Sequence, residues 1–423
     1  MNSTKMKRSD FEIMAPVGSY ESLRAAIQGG ANSVYFGVSQ LNMRSKSTNN
    51  FTFEDMHEIV GICKENNIRT YLTVNTIIYD HDITMMKKLL TEAKKANITA
   101  IIASDQAAIN YASEIGLEIH ISTQLNVSNS ETVKFYAKFA DVMVTARELS
   151  LNQVRAITDR IKEENICGPS GKPVQIEIFA HGALCQAVSG KCYLSLHEQN
   201  TSANRGACLQ TCRKAYIVTE KESGKQLEID NEYIMSPKDL CTINFLNKVM
   251  DAGVSVLKIE GRARGPEYVQ TVCECYNEAI HAYIDGSYDE DKIADWMERL
   301  STVFNRGFWD GYYLGRKLGE WSHKYGSLAT KRKVYVGKIT NYFSKLKVAE
   351  LKIETNDLQI GDDMLITGPT TGLVKTKAKE IRVELESVEK AEKGVRCSFP
   401  SETLLRRSDK VYKWVDTRPD LEQ

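Results

Sequence analysis

The chain has 423 residues, 42% of them hydrophobic, and its 55 Lys and Arg are balanced by 55 Asp and Glu. That length supports a large core and two or three domains. A formal net charge of zero excludes a molecule-wide field that would draw in nucleic acid or anionic membrane, so any such binding must come from a local patch.

No run approaches the roughly 20 consecutive apolar residues a membrane-spanning helix needs, and the opening MNSTKMKRSD lacks the apolar stretch of a secretory signal. The expectation is a cytoplasmic protein without a membrane partner; the sequence does not set its oligomeric state. Ten cysteines in such a chain suggest buried thiols, metal ligands or catalysis more than a disulfide framework.

From Phe11 to about Ile284, short β-branched runs alternate with amphipathic segments, the pattern of strands and crossover helices in a parallel sheet. The predicted strands are FEIMAP, SVYFGV, RTYLTVN, AIIASD, EIHIS, DVMVTAR, PVQIEIFAH and VSVLKIEG. Eight is the number that closes a (β/α)8 barrel. Thr52 with Asp55 reads as a capping pair, and Gly265-Pro266 opens a helix over PEYVQTVCECYNEAIHAYID. The fold class is therefore α/β, a TIM-like (β/α)8 barrel over residues 1–330. It carries an insertion after strand seven, residues 182–253, and a helical extension, residues 285–330.

From Tyr335 onward the runs shorten to VYVGKIT, KVAELKIE, MLITGP, TKAKEIRVE, VRCSFP and DKVYKWV, with turns at IGDD and GPTTG. This predicts a small C-terminal β-barrel domain over 331–423. Residues 331–416 hold 18 Lys or Arg against 13 Asp or Glu, a mildly basic balance that an ordinary solvated surface also produces.

The insertion holds five of the ten cysteines. EIFAHGALCQAVSGKCYLS sets six residues between Cys185 and Cys192, Gly190 among them, and NRGACLQTCRKAY sets three residues between Cys208 and Cys212, beside Gly206. Four thiolates converging from two turns suit tetrahedral zinc or an iron-sulfur cluster, and spacing does not decide between them. The plain alternative is that they are small buried hydrophobes. Cys241, after SPKDL, which reads as a capped helix start, is an alternative ligand.

Polar residues end the strands: Gly18, Arg44, Asn75, Asp105, Gln124, Arg147, His181 and Glu260. In a barrel these positions face one mouth, where barrel enzymes put their chemistry. Arg147, Arg262 and Arg264 suit forked binding of carboxylate or phosphate, with Arg44, Asn75 and Asp105 as further substrate contacts. Glu260 is a candidate general base or arginine orienter, His181 a candidate proton shuttle, and Gln124 a polar neighbour of the reacting atoms. Each also has a plain reading as an ion pair or a satisfied core residue. No GxSxG elbow or HExxH motif is present, and a cysteine nucleophile with a histidine base would have to pair Cys185 or Cys192 with His181.

Glu177, Phe179, Gly182, Ala183, Cys185, Gly190, Cys192 and Ser195, with NRGACLQTCR, MSPKDLC and KIEGRARGPEYV, resemble the signature segments of the peptidase U-32 family of collagenase-like proteins. The resemblance runs from APVG through NRGFWDGYYLG into the last β-domain. It implies one of two activities: collagenase-like, metal-dependent peptidase chemistry, or oxygen-independent hydroxylation of tRNA wobble uridine, ribosomal RNA cytidine or ubiquinone precursors. The hydroxylases carry a 4Fe-4S cluster, and the RNA enzymes draw on prephenate. The C-terminal β-domain and the GACLQTCR pair resemble the tRNA branch. Carried over, the resemblance implies cluster ligands at Cys185, Cys192, Cys208 and Cys212, with Cys241 in reserve. It further implies tRNA as partner and a small dicarboxylate as cosubstrate. A third reading, outside enzymology, is a zinc-containing RNA-binding or assembly factor.

Overall fold

The computed structural model describes residues 6–38, 41–43, 45, 50–214, 218–224, 226–227, 236–315, 319–323 and 326–417. Seven parallel strands come first: β1 Glu12–Pro16, β2 Ser33–Phe36, β3 Arg69–Val74, β4 Ala100–Ala103, β5 Glu118–Ile121, β6 Val142–Val144 and β7 Gln175–Gly182. Between them run helices α1 Tyr20–Gln28, α2 Phe53–Glu65, α3 Ile83–Lys95, α4 Gln106–Glu114, α5 Ser130–Tyr136 and α6 Leu151–Glu163. The insertion then contributes α7 Leu194–Gln199, the pair β8 Val218–Thr219 and β9 Gln226–Leu227, strand β10 Asp239–Cys241, and α8 Leu246–Asp251. Strand β11, Val256–Ile259, pairs in parallel with both β7 and β1 and closes the eight-stranded barrel. All eight predicted barrel strands are present.

Local chemistry sets where the helices begin. The Ser19 hydroxyl accepts from Ser22 N ahead of α1, and Thr52–Asp55 and Ser150–Gln153 form reciprocal capping boxes at α2 and α6. Each satisfies backbone N–H groups the first turn would otherwise leave unpaired. Pro266 starts α9, Pro266–Asp285, at the position where its missing N–H costs nothing.

The outward faces of the strands pack on the helices in one continuous core that includes Leu72, Ile101, Ile119 and Ile178. The inward faces fill the barrel with Met14, Tyr35, Tyr71, Ala100, Ile102, Val142 and Val256. This alternation is the period of two expected of strands.

Two sequence expectations change. SPKDL starts no helix: Asp239–Cys241 is a strand, antiparallel to β7 with Leu240 opposite Gly182 and Cys241 opposite His181. The edge that β7 offers at these two residues satisfies the backbone there better than a new helix would. Among the described residues of the extension 286–330, only α10, Glu290–Ser301, is helical; beyond it β12, Phe308–Trp309, joins β10 in parallel. Tyr313 then returns to the barrel, its hydroxyl donating to Phe179 O at 2.9 Å.

The C-terminal domain is antiparallel: β13 Lys331–Phe343, β14 Val348–Ile353, β15 Leu358–Gln359, β16 Asp363–Gly368, β17 Gly372–Lys377, β18 Arg382–Val383, β19 Glu386–Ser387, β20 Lys390–Ala391, β21 Arg396–Pro400 and β22 Lys410–Asp416. Eight of these form one sheet around a separate core that includes Val336, Leu351, Ile366 and Phe399. Register shifts at Tyr335/Gly337 and Ile339/Asn341 of β13 are bulges that bend that strand. The predicted run TKAKEIRVE is divided between β17 and β18, because the chain already pairs with β16 from Gly372 onward.

The domain docks on α1 and α9. Leu365 and Leu373 bury against Ala25, flanked by Tyr412 and Trp414, while Lys333 pairs with Glu267 at 2.9 Å and Lys375 donates to Thr271 Oγ1 at 3.1 Å.

Candidate active site

The carboxyl ends of the strands surround a cavity of about 170 Å3. Its wall is built from residues just past or near the ends of five strands: Asn75 after β3, Ser122 and Gln124 after β5, Arg147 after β6, Ala183 through Gly190 with Cys192 after β7, and Glu260 with Arg262 after β11. The insertion folds over this mouth, so Cys185, Cys192, Cys208 and Cys212 all line the same space.

Two glycines permit that approach. Gly190 has a positive φ of 76°, and a Cβ there would stand 2.9 Å from Gln124 Cγ. Gly206, at φ 78°, lies so close to Asn42 and Ser45 that a Cβ would sit 2.4 Å from Asn42 O. Both need a left-handed backbone and the absence of a side chain, which only glycine combines without strain.

Burial raises the Cys212 thiol, the Arg213 guanidinium pulls it back, and Cys185, Cys208 and Cys192 raise it further. Cys212 is thus near enough to the other three for thiolates there to repel its own. As placed, no group of three or more His, Cys, Asp or Glu side chains among the described residues is close enough to hold a metal ion. In donor type and number, and in sharing one cavity, the cysteines fit a sulfur-ligated cluster.

The cavity wall is cationic and aromatic. Arg147 Cζ lies 3.7 Å from the Phe179 ring centroid, and its Nη1 donates to Ala183 O at 3.2 Å. Arg147 Nε is buried without a hydrogen-bond partner. Arg262 Nη1 donates to Asn42 Oδ1 at 3.0 Å and to Thr73 Oγ1 at 3.2 Å. The Tyr35 hydroxyl donates to Glu260 Oε2 at 3.3 Å. Asn75 Oδ1 accepts from Met43 N at 3.2 Å, and Gln124 is hydrogen-bonded to Ser122.

Three predicted residues, and the reserve ligand, take other places. His181 is buried outside the lining, among Tyr268, Tyr276 and Phe308, and burial pushes its pKa down to about 3. It is a neutral core imidazole and not a proton shuttle near neutral pH. Asp105 caps α4, accepting from Ala107 N at 2.9 Å and from Ile78 N at 3.0 Å. Arg264 stacks on Phe304 at 3.3 Å, outside the lining, and burial with the nearby Arg306 lowers its pKa to about 10. Cys241 sits in the core with its Sγ 3.8 Å from Met297 Sδ, apart from the four cavity cysteines. Arg44 lies outside the described residues.

Sequence reasoning overlooked Lys258, Glu177, Tyr35 and Arg213. Lys258 Nζ lies on the cavity floor, 2.8 Å from Glu177 Oε1 and 4.9 Å from the Tyr35 ring centroid. The signal was available: Lys258 shares the parity of Glu260 in one strand, and Glu177 that of Phe179 in another, so each pair faces the barrel interior.

A closed parallel barrel with a cavity at its carboxyl end is an architecture of enzymes. The chain belongs to peptidase family U32, whose model matches residues 18–323, and it is thereby a member of an enzyme family. It is 64% identical over 409 residues to a collagenase of Porphyromonas gingivalis, covering 97% of this chain and 99% of that one. An uncharacterized protease of Methanocaldococcus jannaschii is 37% identical, over 96% of this chain and 98% of its own. A tRNA hydroxylation protein, P1, of Bacillus subtilis is 31% identical, over 85% of this chain and 83% of its own. No helix among the described residues is long and apolar enough to cross a membrane.

Proposed function

We propose that this protein modifies tRNA in the cytoplasm, hydroxylating the wobble uridine at carbon five without molecular oxygen. Cys185, Cys192, Cys208 and Cys212 would hold a 4Fe-4S cluster, which supplies electron-transfer or Lewis-acid chemistry when bound. The observation that carries this reading is the content of one cavity: four thiols, a cationic wall of Arg147, Arg213, Arg262 and Lys258, and no imidazole among the described lining residues.

The residues then take these roles. The buried, unpartnered Arg147 Nε is a donor for an anionic group, and a small dicarboxylate such as prephenate is the proposed hydroxyl donor. Glu260 faces the same space as a proton acceptor. Phe179 and Tyr35, with Arg147 and Lys258 over their rings, give the same space an aromatic, cationic wall for a flat base. An anticodon loop is single-stranded, so its wobble base can enter a mouth of this size without a duplex being opened. The tRNA hydroxylation relative, at 31% identity, supports the reading.

The collagenase relative, at 64% identity, favours a second reading as a metal-dependent peptidase. Against a cysteine-histidine engine, His181 lies outside the cavity and no histidine is among its described lining residues. Nucleoside analysis separates the two. A strain lacking the protein should lose 5-hydroxyuridine-derived nucleosides from total tRNA, and a Cys185→Ser copy should not restore them. Unchanged nucleosides, in a strain with no second family member, would reject the hydroxylase. Gelatin cleavage by cluster-free protein would then establish the peptidase.

A further inference from the structure

The two cysteine-bearing turns meet at one partly buried guanidinium. Arg213 follows Cys212 in the chain and lines the cavity. Its Nη2 donates to Leu184 O at 2.6 Å, and its Nη1 donates to Pro237 O at 2.7 Å and to Ser236 Oγ at 3.1 Å. Leu184 directly precedes Cys185, and the carbonyl before it, Ala183 O, is the one that Arg147 binds at 3.2 Å. Two successive carbonyls at the start of the first cysteine turn therefore each accept one arginine N–H. The same Arg213 ties that turn to the Cys208–Cys212 turn and to the chain returning at Ser236.

All three acceptors of Arg213 are uncharged. Asp239, whose charge acts on Arg213, already pairs with Arg306 at 3.2 Å. The thiols of Cys212 and Cys185 are the other negative influences on the guanidinium. A partly buried cation without a counter-ion is costly, and the space beside it is the cavity the four cysteines line. An anion placed there completes the charge balance.

We propose that Arg213 is a positioning residue for an anionic iron-thiolate cluster. It braces the Leu184–Cys192 segment against the Cys208–Cys212 segment, and its charge favours the more negative, reduced state of the cluster. Reduction adds one electron to the cluster, so a fixed cation nearby raises the reduction potential and its removal lowers it. This inference rests on the cluster reading above.

The test uses the full chain purified anaerobically as wild type, Arg213→Lys and Arg213→Gln. Iron and sulfide per chain, iron release to a chelator, and the midpoint potential from a redox titration followed by electron paramagnetic resonance are measured. Arg213→Gln should shift the potential to more negative values and release iron faster. Arg213→Lys keeps the charge but loses the planar fork, so it should hold the potential near wild type while still releasing iron faster. Wild-type potential and release rate in Arg213→Gln would overturn the inference while leaving the cluster reading intact. Should Arg213→Gln not fold, a wild-type release rate in Arg213→Lys overturns the brace. Absence of any cluster in the wild type would instead remove the reading on which the inference rests.

Discussion

A thiolate and a hydroxyl differ little in size but greatly in softness, so serine is a poor replacement for a cysteine that binds iron. Single Cys→Ser changes at Cys185, Cys192, Cys208 and Cys212 should each lower iron and sulfide per chain. Cys241→Ser should leave both near wild type, because its thiol packs against Met297 in the core. Iron loss from Cys241→Ser together with full retention in Cys212→Ser would exchange their roles. At this scale the sequence was informative about the cysteines, whose pairing beside Gly190 and Gly206 is visible in the spacing. It was uninformative about His181 and Asp105. Both end strands and are polar, yet one is enclosed by Tyr268, Tyr276 and Phe308, and the other is used up as a helix cap.

The strands carry a charged network through the barrel. Glu177 of β7 meets Lys258 of β11 at 2.8 Å and His120 of β5 at 3.8 Å, and His120 meets Glu118 at 3.4 Å. Burial alone would lower the His120 pKa, but Glu118 and Glu177 outweigh it and leave it raised. Burial alone would raise Glu177, but Lys258 and His120 leave it lowered. The His120 contribution to stability is therefore fully present below its ordinary value of about 6.5 and is lost as pH climbs through its raised value. The Glu177 contribution is present above the ordinary carboxylate range and is lost only as pH falls through its lowered value. Glu177→Gln strands Lys258 in the interior and should cost about 3–5 kcal/mol in urea unfolding near pH 7. It should also flatten the alkaline loss of stability that His120 imposes. A change under about 1 kcal/mol, with the pH profile unaltered, would mean that the network does not hold the barrel.

At the scale of the whole molecule, the C-terminal domain has its own core but rests on α1 and α9 through Leu365, Leu373 and the Lys333–Glu267 pair. Its 18 basic against 13 acidic residues over 331–416 suit a weak grip on a phosphate backbone. Deleting it should weaken tRNA binding and flatten the dependence of affinity on salt, while the barrel keeps its far-ultraviolet circular dichroism. Equal affinity and an equal salt slope would assign the domain to stability alone.

The sequence by itself determined the eight barrel strands, the helix starts at Thr52–Asp55 and Pro266, the change to an antiparallel domain near Tyr335, and the two cysteine pairs. These are local signals: apolar period, capping chemistry and spacing are written in neighbouring residues. Only the tertiary structure decided which polar strand ends reach the cavity and which serve the core. It also turned SPKDL from a helix start into strand β10, separated Cys241 from the other four thiols, and brought Arg213 onto the carbonyl before Cys185. Each of those outcomes depends on partners far away in the chain, such as β7 for Leu240, Met297 for Cys241 and Leu184 for Arg213. The physical reason is that burial and long-range pairing outweigh a local preference worth about 1 kcal/mol or less.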